Sequence, residues 1–104
     1  MQAKTLSSDP EYDAWSLLLR KMTATESSVK RCSWGYKNYL ISAPDSRDYL
    51  SLLAMQAEGL VHLLVQLRDG HDVFIATRKG CQFIELPRAV VDKVIDSVRV
   101  SNDI

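Results

Sequence analysis

Residues 45–80 read DSRDYLSLLAMQAEGLVHLLVQLRDGHDVFIATRKG, and the fold turns on where this stretch changes its period. Asp45 stands as an N-cap, with Asp48 in the first turn behind it. Leu50, Leu53, Ala54, Ala57 and Leu60 then recur at helical spacing, which predicts a helix with that stripe toward the core. Gly59 stands where a left-handed residue closes a helix. Beyond it, LVHLLVQL (60–67) is an apolar run of strand length. Asp69-Gly70, within Arg68–His71, is a hairpin signal, and DVFIAT (72–77) is the return strand. Thr77 has two readings. It caps a helix through Arg78, Lys79 and Gly80, or it precedes a turn and a third strand, CQFIEL (81–86).

Upstream, Asp9-Pro10-Glu11 has the N-cap, N1 and first-turn residues of a helix start. Ala14, Trp15, Leu18, Leu19 and Met22 continue it, predicting a helix over 10–23 with Arg20 and Lys21 favourable at its C-terminal end. Residues 24–35 show no period and read as a loop. YKNYLI (36–41) has strand content, ended by Pro44. Downstream, Pro87 opens a helix with Val90, Val91, Val94, Ile95 and Val98 on one stripe. Residues 1–9 and 100–104 are polar ends expected to be flexible.

The chain has 104 residues, the size of a single domain able to form one core without staples. Thirteen basic residues balance thirteen acidic ones, which weighs against indiscriminate binding to phosphate backbones. The charge is unevenly placed: Arg20, Lys21, Lys30, Arg31 and Lys37 face Glu26 alone between residues 20 and 37. No apolar run approaches the ~20 residues of a membrane span, and MQAKTLSSDPEYD lacks the apolar segment of a secretory signal. Cys32 and Cys81 form no CxxC pair and read as reduced, packed thiols, consistent with the cytoplasm.

Catalytic signatures are missing. There is no P-loop, GxGxxG, GxSxG or HExxH. Cys32, His62, His71 and Cys81 match no zinc-ligand spacing. Asp69 and Asp72 flank a turn, and turn chemistry accounts for both. No cofactor is expected. One constellation does suggest binding: Trp34, Tyr36 and Tyr39 stand among Lys30, Arg31 and Lys37. Interleaved bases and aromatics suit a protein hot spot or a single-stranded nucleic acid, or they cover the open side of a small core.

The stretch 45–80 resembles the second half of a winged-helix domain. In regulators of the MarR type a recognition helix is followed by GLV, a wing hairpin, and LT-x-x-G opening the next helix. Here the corresponding residues are Gly59-Leu60-Val61 and Thr77-x-x-Gly80, and the resemblance favours a helix after Thr77. Residues 37–80 are also similar to small phage and prophage proteins of unassigned function. The shared positions are Asn38-Tyr39, Ala43, Asp48, Leu52, Met55, Gly59-Leu60-Val61, Gly70, Phe74, Thr77 and Gly80. The resemblance implies an α+β, winged-helix-like domain: an N-terminal helix, a central helix followed by a β-hairpin, and a C-terminal helix.

Two departures matter for function. No helix is predicted immediately before the central one, where a helix-turn-helix requires it. The central helix also carries Asp45, Asp48 and Glu58 against Arg47 alone, which disfavours a phosphate backbone. The leading expectation is therefore a non-enzymatic phage- or prophage-derived module that binds another protein, such as a host factor, through Lys30, Arg31, Trp34, Tyr36 and Lys37. The alternative is a winged-helix regulator binding duplex DNA as a dimer, through Arg47, Ser51, Arg68, Arg78 and Lys79.

Overall fold

The structure is a computed structural model and describes residues 10–102. Four α-helices pack with one three-stranded antiparallel sheet. Helix α1 spans Pro10–Thr23, β1 Leu40–Ser42, α2 Arg47–Ala57, β2 Val61–Gln66, β3 Asp72–Ala76, α3 Arg78–Phe83 and α4 Arg88–Asn102. The sheet order is β1-β3-β2, so the hairpin's return strand is central. Only residues 43–46 separate β1 from α2, and no helix immediately precedes α2. The Asp9 cap and the chain ends 1–9 and 103–104 lie outside the described residues.

The hairpin forms as its sequence predicts. Leu67 N–H donates to His71 O at 2.7 Å, and the Asp69 carboxylate accepts from His71 N–H at 3.0 Å. That backbone hydrogen bond, reinforced by the His71 side chain, holds the Asp69 carboxyl below its usual range. The β2–β3 register slips between Leu63 and Val65, leaving Leu64 as an extra residue. Gln56 Oε1 accepts from Leu63 N–H at 2.6 Å, so a side chain of α2 occupies one donor on the exposed edge of β2.

Thr77 caps α3, as the helical reading required. Its Oγ1 accepts from Gly80 N–H at 3.1 Å and donates to Gly59 O at 2.6 Å and Leu60 O at 3.0 Å. One hydroxyl therefore ties the start of α3 to the segment that leaves α2. Asn38 makes a second tie. Its amide donates to Ala76 O at 2.9 Å and accepts from Ala76 N–H at 2.7 Å. Residue 38 stands opposite 76 in the β1–β3 register, so a side chain supplies the ladder step that the β1 backbone no longer reaches. Asn38 and Thr77 thus act as joints between elements.

Three expectations are corrected. The strand expected at 36–41 is Leu40–Ser42, because Asn38 pairs through its side chain. The cap of α2 is Ser46 rather than Asp45. The stripe of Leu50, Leu53, Ala54 and Ala57 faces away from the core: Leu50 is 75% exposed, whereas Leu52 and Met55 are fully buried. Apolar residues cover more than half of α2, so period alone does not choose between the two faces. Tyr49 helps decide. It meets Phe74 edge-on, at 6.0 Å between ring centroids, and its hydroxyl donates to Asp72 Oδ2 at 2.5 Å.

The Tyr49–Asp72 bond is a testable joint. Asp72 is 1% exposed, and its Oδ1 has no partner among the described residues. Among the described residues Tyr49 is the one side-chain donor to this buried carboxylate, so Tyr49→Phe is expected to lower the midpoint of urea unfolding. The hydrogen bond to Asp72, aided by burial and the carboxylate's charge, raises the Tyr49 pKa above 10.0. Above the unfolded value the native phenol keeps a proton that the unfolded chain has lost. Stability from this group is full below pH ~10 and falls as pH rises through the native pKa. Tyr49→Phe should lack that alkaline slope.

Candidate functional site

Strand alternation assigns the sheet two faces. Leu40, Leu63, Phe74 and Ala76 turn toward the core shared with α1 and α2. Ile41, His62, Val65, Val73 and Ile75 occupy the other face, and the bulge adds Leu64 to it. Helix α4 crosses this outer face but covers only part of it. Two grooves flank it, of about 300 and 360 Å³. The first is lined by Tyr36, Lys37, Tyr39, Leu64, Val73 and Val98; the second by His62, Ile75, Ala76, Thr77, Ile95 and Val98. Asn38 and Val98 line both.

The surface around the grooves is apolar. Among the described residues nine large apolar side chains are exposed, and six of them, Tyr36, Tyr39, Ile41, Leu64, Val65 and Leu67, belong to this sheet, its hairpin loop or the segment leading into it. Exposed apolar clusters of this kind are a common feature of protein and ligand contact surfaces. Among the described residues, Lys37 is the one lysine or arginine lining either groove, and no carboxylate lines them. Its Nζ lies 4.8 Å from the centre of the Tyr39 ring, a cation–π pair that sets a positive charge at the aromatic rim.

The five residues expected to bind protein are divided by this geometry. Tyr36 and Lys37 line the first groove. Trp34 lies elsewhere, lining a third cavity with Leu17, Arg20, Thr25, Glu26, Ser27 and Ser28. Its indole N–H donates to Val29 O at 3.1 Å, and Arg31 lies 4.8 Å from its ring centre. Lys30 and Arg31 are exposed on the short turn before it. Gly35 separates the two groups. It is buried with φ +81°, and a Cβ there would meet Val94 Cγ2 at 3.1 Å and Val90 O at 3.3 Å.

The five residues expected to bind DNA are spread along α2, the hairpin tip and α3. Arg47 and Ser51 are on α2, and Arg68 is exposed at the tip. Arg78 pairs with Asp92 at 3.1 Å, and Lys79 Nζ donates to Glu58 O at 2.8 Å, a cation at the C-terminus of α2. Two of the five thus already hold the molecule's own groups.

Other chemistry is sparse. Asp69 and Asp72 do not share a cleft: the first is exposed in the turn and the second buried beneath Tyr49. No group of three or more His, Cys, Asp or Glu among the described residues could hold a metal ion. Cys81 is buried, and burial pushes its thiol up to about 11. Cys32, expected to be packed, is exposed on the turn at 31–33, where little of the chain covers it. No described helix is long and apolar enough to cross a membrane.

Sequence reasoning missed Leu64, Val65, Val73 and Val98 as site residues. The available signal was the run LVHLLVQL: a strand apolar on both faces has both faces covered, and one helix does not cover this one. Comparison with protein-family models, curated proteins and solved structures found no match to the chain.

Proposed function

We propose that the protein is a non-enzymatic, winged-helix-like module that holds an apolar, carboxylate-bearing segment of another protein against the outer face of its sheet. The supporting observation is the exposed cluster of Tyr36, Tyr39, Ile41, Leu64 and Val65 around grooves lined, among the described residues, by Lys37 as the one lysine or arginine. Apolar anchors of the partner fill the grooves, and a carboxylate meets Lys37. The resemblance to small phage and prophage proteins supports a phage origin and a cytoplasmic host protein as partner. Duplex DNA is a weaker reading, since Arg78 and Lys79 are engaged within the chain and α2 turns Leu50 outward.

A displayed library of random peptides, panned against the purified chain, tests this reading. Enriched sequences should pair large apolar residues with Asp or Glu. Leu64→Lys should abolish their binding, and Lys37→Glu should weaken it about tenfold, or about 1.4 kcal/mol. Enrichment indifferent to both substitutions overturns the proposal. So does a low-salt shift of duplex DNA that survives Leu64→Lys and is lost in Arg68→Ala.

A further inference from the structure

The outward stripe of α2 is a second unpartnered surface, on the opposite side of the sheet from the grooves. Helical spacing resolves it into three strips. Leu50 and Ala54 run along its crest. Leu53 lies on one flank, and Arg47 and Glu58 lie together on the other. Leu50 and Leu53 are exposed. The side chains of Arg47 and Glu58 form no ion pair among the described residues. They stand at opposite ends of a helix about 16 Å long.

This arrangement is self-complementary. We propose that α2 pairs with α2 of a second copy, antiparallel, across a two-fold axis level with residue 52. A two-fold operation places each residue opposite its mirror position along the helix and keeps flanks on the same side. Leu50 then seats on Ala54 of the other copy, whose short side chain allows close approach. Leu53 meets its own counterpart beside the axis. Arg47 arrives opposite Ala57 and Glu58 of the other copy, so two intermolecular ion pairs close the charged flank. A parallel two-fold pairing would exchange the flanks and set the Arg47 and Glu58 flank against the Leu53 flank, where no unlike charges meet. The antiparallel one matches unlike charges at both ends, and this complementarity selects a second copy as the occupant.

A single helix pair buries less than the ~1,200 Å² typical of durable complexes, so the dimer is a concentration-dependent one. Sedimentation equilibrium of the purified chain, from about 10 µM to 1 mM, should show a monomer–dimer equilibrium. Leu50→Glu should weaken association at least about tenfold while leaving the thermal melt unchanged, because Leu50 is exposed. Arg47→Glu and Glu58→Arg should each weaken it, and the double variant should restore it by exchanging the charges. A wild type that stays monomeric throughout this range overturns the proposal. So does a Leu50→Glu variant that still dimerises, or a double reversal no better than either single change. Docking in the sheet grooves is independent of this surface, and failure of one reading leaves the other standing.

Discussion

Gly80→Ala is expected to destabilise the domain by about 3 kcal/mol or more, although alanine is the better helix former by roughly 1 kcal/mol. Gly80 lies within α3, so propensity alone forecasts a gain. The packing reverses the sign. A Cβ at this position would stand 2.1 Å from Leu60 O and 3.1 Å from Leu19 Cδ2. Leu19 could adjust, but Leu60 O cannot readily retreat. It already accepts from Thr77 N–H and from Thr77 Oγ1, both at 3.0 Å. Relief requires α3 to lift away from the α2–β2 junction, breaking the Thr77 joint. With a total stability of ~5–15 kcal/mol, urea unfolding would show a sharp fall in midpoint. A variant as stable as the wild type would mean that α3 does not rest on Leu60.

Asn38→Ala is expected to cost about 2–5 kcal/mol, since it orphans two backbone groups at once. Ala76 N–H and Ala76 O both rely on the Asn38 amide, and Asn38 is itself buried. The loss also detaches the segment carrying Tyr36, Lys37 and Tyr39, so the docking proposed for the first groove should fail together with stability. Asn38→Asp separates the two hydrogen bonds. It keeps an acceptor for Ala76 N–H but turns a carboxylate oxygen toward Ala76 O. A proton on the new carboxyl restores a donor, so its native pKa is raised above the unfolded value. Stability from that proton is present in acid and lost as pH rises. The gap between Asn38→Asp and wild type should therefore narrow toward pH 4. A gap independent of pH would show that the amide is not donating to Ala76 O.

Much of the architecture was legible along the chain because local chemistry dictates it. Pro10 with the Leu18, Leu19 and Met22 stripe marks α1, Asp69-Gly70 marks the hairpin tip, and Gly59 with φ +81° closes α2. The residues after Thr77 left helix and strand both open, and only the winged-helix resemblance favoured the helix; the Thr77 cap on Gly80 N–H decides it. Less of the proposed docking face was legible. Tyr36 and Lys37 were identified from their company, but Trp34, two residues away, faces another cavity because the chain bends at Gly35 against α4. Val73 and Val98 are far apart in sequence, and only the crossing of α4 over the sheet brings them into one groove.

The sequence by itself determined the order and kind of the principal elements, since caps, turn residues and periods act over a few residues. Only the tertiary structure decided which face of α2 is core. Two apolar stripes compete on that helix, and Tyr49, Leu52 and Met55 prevail by what they meet: Phe74, Asp72 and the buried cluster around them. The losing stripe, Leu50, Leu53, Ala54 and Ala57, is left facing outward. Periodicity reports that a helix has an apolar side, but the partner across the core selects which side is buried.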